Sequence, residues 1–243
     1  LQVMRKERPE QLAMHLYEVD ATTEDPEMLG LEGRAQSAVV PVTGFHVWWR
    51  ESDMSAAYRY HRRVAQLLHS RRPPTRWLFK APHTSFHLEA FVDAYPGARF
   101  VVTHRDPAHA VPSWISYATS LFPPGAVDVT DMSAYGSHLA THLAYGTARL
   151  IEARQRLGGD RFLDVHHHEL LEDPMGTIDR VYAWLDRKVS DELRAAMLAW
   201  VERNRRGTYG VHRYTLGQFG LDAVGLRDSF ATYIDHFGVR IET

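Results

Sequence analysis

The sequence has 243 residues, of which 44% are hydrophobic and 11% are aromatic, and its 28 basic and 30 acidic side chains nearly balance. A chain of this length and composition can bury a sizeable core, and its near-neutral charge argues against a general nucleic-acid-binding protein. The lack of cysteine excludes a disulfide framework and thiolate metal sites, and the lack of a signal peptide or of an apolar run near the roughly 20 residues of a membrane helix predicts a cytoplasmic protein without a membrane span.

The first half of the chain predicts helices separated by two short strands. Apolar residues recur at helical spacing over residues 54–71, which predicts a helix. The segment RWLFK at 76–80 predicts a short buried strand, and residues 84–95 predict a helix that ends at a YPGA turn. A second strand is predicted at 99–103. A helix from about 107 to 120 follows it, because proline is favoured in the first turn of a helix.

The second half continues the alternation of helices and strands. The predicted elements are a loop at 122–132, a long helix at 133–157, a third strand at 161–167, a helix to about 186 capped by Asp173, a helix to about 204 capped by Ser190, an irregular segment at 205–221 and a helix at 222–237. Short apolar strands between helices are typical of an α/β fold with a parallel sheet flanked by helices. We therefore expect residues 1–243 to form a single domain.

Polar and basic side chains follow each predicted strand: Lys80, His83 and Thr84; His104, Arg105 and Asp106; and His166, His167 and His168. Parallel sheets bind ligands at the carboxyl ends of their strands, so these side chains should converge. Arg105 precedes a helix start, an arrangement suited to an anion, and Ser113 lies two helical turns further on. Alternatively, Arg105 pairs with Asp106 or a helix end. Phosphate or sulfate chemistry is favoured over acyl transfer, because the sequence has no G-x-S-x-G motif.

Several motifs in this order resemble the PAPS-dependent sulfotransferase family, in its bacterial, broad-specificity branch. They are MRKERPEQLAMHLYEVDATTEDPEML, WLFKAP, YPGARFVVTHRDP with a serine eight residues after the arginine, FLDVHHHELLEDP and GVHRYTLGQFGLD. The resemblance extends from about Pro9 to Gly238 and implies the P-loop NTPase-like sulfotransferase fold. It also implies transfer of a sulfuryl group from 3′-phosphoadenosine 5′-phosphosulfate (PAPS) to a hydroxyl or amine of a small-molecule acceptor, without a metal.

The resemblance assigns roles in nucleotide binding to residues at three places in the chain. It implies that Arg105 and Ser113 hold the 3′-phosphate of PAPS. The segment Arg205-Arg206-Gly207 resembles an R-K-G that grips the same phosphate in related enzymes, although two arginines at a helix end also suit the negative end of the helix dipole. His167 stands where relatives often have a tyrosine near the adenine.

Sulfuryl transfer resembles phosphoryl transfer, in which positioning and charge stabilisation provide most of the catalysis. Lys80 is the candidate for stabilising the oxygen that leaves with the nucleotide. His83 is the candidate general base, although relatives often have the histidine one residue later. The carboxylates of Glu24, Asp25 and Glu27 are rival bases, or they are acids in the first turn of a helix after Thr23.

One family feature is missing from the sequence: the Gly-rich loop, such as R-T/S-G-T-T, that cradles the 5′-phosphosulfate. The family places this loop upstream of what is Leu1 here. Either the chain lacks its natural N-terminus, or the protein has lost half of the cofactor site and is a non-catalytic nucleotide-binding or interaction protein. The genomic sequence upstream of Leu1 distinguishes these two readings.

Two further segments have weaker interpretations. The three histidines at 166–168 suggest a zinc site. On a strand, however, only His166 and His168 share a face, and no third ligand is evident. The aromatic segment GFHVWWRESDM at 44–54 either lines an acceptor pocket or is an ordinary core loop.

Overall fold

The computed structural model describes residues 11, 14, 24–34, 42–71, 76–122, 131–205, 207, 208 and 210–242. Most of the loop predicted at 122–132 lies outside these residues, and so does Arg206, which was predicted to bind the 3′-phosphate. None of the helices within the described ranges is long and apolar enough to cross a membrane.

The described residues form helices around a small parallel sheet. The α-helices are α1 (Pro26–Gly30), α2 (Thr43–Glu51), α3 (Ser55–Arg71), α4 (Leu88–Ala94), α5 (Pro107–Ser120), α6 (Ser133–Leu157), α7 (His167–Glu172), α8 (Pro174–Trp184), α9 (Asp191–Arg203), α10 (Ala223–Ser229) and α11 (Ala231–Phe237). Short 3-10 turns occupy Pro82–Phe86, Gly159–Arg161 and Leu216–Phe219. The bounds of α5 and α6 confirm the predicted helices at 107–120 and 133–157.

The sheet pairs β1 (Phe100–His104) with β2 (Phe162–His166) in parallel. Phe100 lies opposite Phe162 and His104 opposite His166, so both strands end at the same edge. The long helix α6 lies between them in the chain, which is the connection that a parallel pair requires. This arrangement confirms the predicted α/β fold with a parallel sheet, and it puts Arg105 and His167 just beyond the same edge.

The strand predicted at 76–80 is wrong. This segment pairs with no strand among the described residues, and the side chain of Leu78 is 92% exposed. The rings of Trp77 and Phe79 stack with centroids 5.5 Å apart. The ring of Phe79 also packs edge-on against that of Phe91 of α4, with centroids 6.0 Å apart. The apolar residues that suggested a buried strand therefore pack through their rings and not through a sheet.

Three other predicted elements differ in detail. The helix at 84–95 is a 3-10 turn followed by α4, because the backbone of His87 leaves the helical region (φ −138°, ψ 38°). The helix at 222–237 is divided into α10 and α11 at Phe230 (φ −110°, ψ 15°). The aromatic segment at 44–54 is mostly helix α2 and not a loop, and it buries Trp49.

Side-chain caps set where several helices begin. Asp106, Asp173, Ser190 and Asp222 each accept a hydrogen bond from a backbone N–H of the first turn of α5, α8, α9 and α10, respectively. Such caps satisfy N–H groups that have no partner inside the helix. The predicted caps at Asp173 and Ser190 are thereby confirmed.

A glycine in α6 allows the turn that carries His83 to pack closely against this helix. A Cβ atom placed on Gly146 would lie 2.6 Å from ring atoms of Phe86, the last residue of the 3-10 turn. Phe86 is buried and also stacks on His142 of α6, with centroids 4.6 Å apart. Since no side chain fits between helix and ring, Gly146 fixes the distance between α6 and the turn.

We predict that Gly146→Ala lowers the free energy of unfolding by about 1–3 kcal/mol, because overpacking forces the Phe86 ring to move. Gly44→Ala in α2 is the matched control, since a Cβ there meets nothing within 4 Å. This control should be neutral or slightly stabilising, because alanine is the better helix former. Urea denaturation of both variants tests this, and equal stabilities would contradict it.

Candidate active site

An apolar cavity of about 440 Å³ opens beyond the end of β1. One face of α5 forms a wall, because Pro107, Ala110, Val111, Trp114 and Tyr117 recur at helical spacing. Polar groups that line the cavity include Glu24, His83 and Arg105. The cavity thus combines an apolar surface with a few charged or titratable side chains, as ligand sites commonly do.

Glu24 lines this cavity and forms an ion pair with Lys80, so two predicted catalytic residues lie together, although Lys80 is not itself a lining residue. The side chain of Lys80 is largely exposed and that of Glu24 is half-buried. By contrast, Glu27 is exposed in the first turn of α1 and does not line the cavity. The structure therefore separates the predicted carboxylates and brings only Glu24 to the site.

Asp25, the neighbour of Glu24, anchors this segment in the core. It is only 6% exposed, and its Oδ2 lies 3.2 Å from Nε2 of the fully buried His61. The other ring nitrogen of His61 lies 2.7 Å from the hydroxyl of Tyr95. A carboxylate can only accept, so His61 donates from Nε2 and its Nδ1 is available to accept from Tyr95. Asp25 thereby faces the core while Glu24 faces the cavity.

His83 lies in the 3-10 turn and is 6% exposed. Burial lowers the pKa of His83 to about 4, against a smaller opposing effect of the Asp25 carboxylate. Its buried Nε2 has no hydrogen-bond partner among the described residues. At neutral pH the ring is therefore uncharged and can accept a proton.

Arg105 lies between the apolar cavity and a second, polar cavity of about 400 Å³, and it lines both. The polar cavity is bounded by the end of β1 and the two residues after it, by His166 at the end of β2, by His167 and His168 of α7, and by the tail Val239–Glu242. The guanidinium donates two hydrogen bonds to Glu242, from Nε to Oε1 at 2.9 Å and from Nη2 to Oε2 at 3.0 Å. These bonds raise the pKa of Arg105 and lower that of Glu242.

Asp106 is completely buried and fixes the backbone next to Arg105. Its carboxylate accepts from Nη2 of Arg227 at 2.7 Å and from the backbone N–H groups of Ala108 and Glu242, both at 2.9 Å. Burial opposes ionisation, but these hydrogen bonds outweigh it and lower the pKa of Asp106. The alternative that Arg105 pairs with Asp106 is therefore wrong, because Arg227 occupies that carboxylate.

Three other residues that were predicted to bind the 3′-phosphate line neither cavity: Ser113, Arg205 and Gly207. Ser113 is half-buried in α5. Arg205 is exposed and donates to Glu202 at 2.6 Å, and it lines neither cavity. Gly207 has a left-handed backbone, with φ 89°.

The three histidines at 166–168 span the end of β2 and the start of α7, and so they do not lie on one strand. β2 ends at His166, which precedes α7, and His167 and His168 belong to the first turn of that helix. The alternation of faces that the sequence suggested does not apply. No cluster of three or more histidine and carboxylate side chains in the described ranges is arranged to hold a metal ion.

Two side chains near Arg105 were missed in the sequence. His109 lies in the first turn of α5, and its Nδ1 is 3.9 Å from Oε2 of Glu242. Its place just after the predicted strand end could have identified His109. No sequence pattern predicts that Glu242 contacts Arg105, because the two residues come together only where the C-terminal tail passes the end of β1.

We predict that Asp25→Asn lowers the free energy of unfolding by about 1.5–3 kcal/mol, because it removes a charge-assisted hydrogen bond to buried His61. Glu27→Gln, two residues away on the exposed side of the same segment, should change it by less than about 0.5 kcal/mol. Chemical denaturation of both variants measures the difference. Similar effects of the two substitutions would show that Asp25 is no anchor.

Comparisons with known proteins agree with this geometry. Residues 9–191 match the model of the sulfotransferase family. The crystal structure of sulfotransferase STF9 from Mycobacterium avium is 28% identical, with a TM-score of 0.78 over 99% of this chain and 67% of that one. Sulfotransferase STF1 from Mycobacterium tuberculosis H37Rv is 27% identical, with a TM-score of 0.75 over 90% of this chain and 57% of that one.

A further relative is the omega-hydroxy-beta-dihydromenaquinone-9 sulfotransferase Stf3 of Mycobacterium tuberculosis strain CDC 1551. It is 25% identical over 123 residues, which make up 51% of this chain and 31% of the relative. The match therefore spans less than a third of that protein. The family model covers most of the chain, and the two crystal structures share its fold, so the chain belongs to the sulfotransferase family.

Proposed function

We propose that this protein transfers a sulfuryl group from PAPS to a hydroxyl or amine of a small-molecule acceptor. The observation that carries the proposal is the position of Arg105 between the polar and the apolar cavity, with Glu24 and His83 lining the apolar side and Lys80 ion-paired with Glu24. Membership of the sulfotransferase family supports it. We further propose that residues 1–243 belong to one domain; a cytoplasmic location remains a prediction.

The two cavities suit the two substrates. The polar cavity offers cationic and imidazole donors, which suit the phosphates of a nucleotide. The apolar cavity suits the body of an acceptor molecule, with its reactive group directed at Glu24 and His83. Arg105 would hold the 3′-phosphate. The resemblance assigns Ser113 and the segment Arg205-Arg206-Gly207 to the same phosphate.

In the proposed reaction, the acceptor oxygen or nitrogen forms a bond to sulfur while the bond between sulfur and the bridging phosphate oxygen breaks. The phosphate oxygen leaves with the electron pair, and Lys80 would stabilise its developing charge. The acceptor proton passes to Nε2 of His83, which is neutral at physiological pH and has no other partner among the described residues. Glu24 is the rival base, and its ion pair with Lys80 orders both groups.

A second candidate function is a nucleotide-binding protein without catalysis. Such a protein would use Arg105 and the polar cavity to bind the nucleotide but would not transfer its sulfuryl group. Both candidates predict nucleotide binding at Arg105. Transfer of labelled sulfate from PAPS to any acceptor by the full-length protein separates them.

We predict that 3′-phosphoadenosine 5′-phosphate raises the melting temperature of the full-length protein more than AMP does, because only the former carries the 3′-phosphate. Arg105→Ala should abolish the difference, since it removes a bidentate, charge-assisted contact worth roughly 1.5–3 kcal/mol per bond. Arg205→Ala is measured in parallel and tests whether Arg205 also binds the 3′-phosphate. Equal shifts for both nucleotides with the unaltered protein would contradict the assignment of the 3′-phosphate.

We predict that Lys80→Ala and His83→Ala each lower kcat by about 10²-fold or more, with smaller effects on KM. His87→Ala is the control for His83→Ala: His87 is also buried, with its pKa lowered to about 4 by burial, but it does not line the apolar cavity. With His83 as base, kcat should fall only as the pH drops toward about 4, because His83 is neutral above that value.

The pH profile alone does not identify the base, since a carboxylate of ordinary pKa titrates near the same pH. Glu24→Gln provides the distinction, because it removes the rival base and leaves the imidazole. If Glu24→Gln abolishes activity and His83→Ala retains nearly normal kcat, Glu24 is the base and the assignment to His83 is wrong.

A further inference from the structure

The carboxylate of Glu242 lies among three donor side chains that come from different parts of the fold. Arg105, at the end of β1, donates one hydrogen bond to each carboxylate oxygen. Nδ1 of His109 in α5 lies 3.9 Å from Oε2, and Nδ1 of His167 in α7 lies 3.8 Å from Oε1. Each oxygen therefore faces the guanidinium and one imidazole.

This arrangement has the form of an anion subsite that the chain's own tail occupies. A guanidinium that donates two parallel bonds to two oxygens is the geometry with which proteins hold carboxylates and phosphates alike. The subsite lies in the wall of the polar cavity, to which Arg105, His167 and Glu242 all contribute. The three donors are partly exposed, so another anion can reach them.

The backbone of Glu242 is held separately from its side chain. Its N–H donates to Asp106 at 2.9 Å, and its carbonyl oxygen accepts from Nη2 of Arg227 at 3.0 Å. Neither bond involves the carboxylate. The side chain can therefore rotate away from Arg105 while the tail keeps its place.

We propose that Arg105, His109 and His167 form one subsite for the 3′-phosphate of the nucleotide, and that the Glu242 carboxylate is a built-in competitor which that phosphate displaces. This inference rests on the proposed function for the identity of the nucleotide. It adds His109 to the residues that bind the phosphate, and it places His167 at the phosphate and not at the adenine. It also gives the C-terminal tail a direct influence on nucleotide affinity.

Charge decides which anion occupies the subsite. A phosphate monoester carries between one and a half and two negative charges at neutral pH and presents three acceptor oxygens, whereas a carboxylate carries one charge and two oxygens. Three donors around one anion favour the phosphate. Glu242 thus discriminates against weaker, singly charged anions, which must compete with a carboxylate that is already in place.

The test measures dissociation constants by calorimetry for inorganic phosphate and for 3′-phosphoadenosine 5′-phosphate. Glu242→Gln should tighten binding of both ligands by about 3- to 10-fold, because the partly exposed ion pair no longer competes. Glu242→Ala is measured alongside, so that the result does not depend on a glutamine amide bonding to Arg105. The control is Glu152→Gln, which removes the same charge from an exposed ion pair with Arg149 on α6 and should change neither constant.

His109→Ala in the Glu242→Gln background should weaken binding of phosphate again, since it removes one donor. Unchanged or weaker binding in both Glu242 variants would overturn the competitor role, even if the nucleotide binds through its 3′-phosphate as proposed. Tighter binding of inorganic phosphate, with no preference for 3′-phosphoadenosine 5′-phosphate over AMP, would support the competitor role and refute the proposed nucleotide. Failure of every variant to bind either ligand would refute the subsite itself.

Discussion

The arrangement of the site depends on the buried carboxylate of Asp106. A buried charge is unfavourable unless hydrogen bonds replace the water it has lost. Here Arg227 of α10, the first turn of α5 and the backbone of Glu242 all donate to Asp106. One side chain therefore joins the start of a helix, a helix near the C-terminus and the tail, and it fixes the backbone from which Arg105 extends.

A second buried aspartate has the same relation to a functional neighbour. Asp25 contacts His61 in the core, and Glu24, the residue before it, faces the apolar cavity. Similarly, Asp106 faces inward and Arg105 lies between the cavities. In both pairs, a buried and hydrogen-bonded carboxylate holds the chain so that an adjacent charged side chain reaches the site in a defined position.

The charge of the site comes from few groups, although many histidines surround it. Burial lowers the pKa of His83 and His87 to about 4 and that of His142 to about 3. These rings are neutral at physiological pH and contribute packing, as in the stacking of His142 on Phe86. Permanent positive charge comes from Arg105, Lys80 and Arg240, and each of them faces a carboxylate of the chain itself. An anionic substrate must therefore compete with Glu242, Glu24 and Glu172.

Local sequence patterns predict the α/β fold, the helices α5 and α6, the caps Asp173 and Ser190, and the strand end that carries Arg105. These features depend on local periodicity, on proline at a helix start and on side chains that cap their own helix, all of which act over a few residues. The strand predicted at 76–80 failed because a run of apolar residues does not specify what covers it, and here Leu78 faces outward.

Which charged side chains meet depends on the tertiary structure. It brings Glu24 but not Glu27 to the apolar cavity, buries His83, and puts Glu242 against both Arg105 and His109. The contacts of Glu242 join residues far apart in the chain, and they depend on the packing of whole helices and on the path of the tail. No local pattern encodes them, because Glu242 comes from a segment that is distant in sequence from Arg105 and His109.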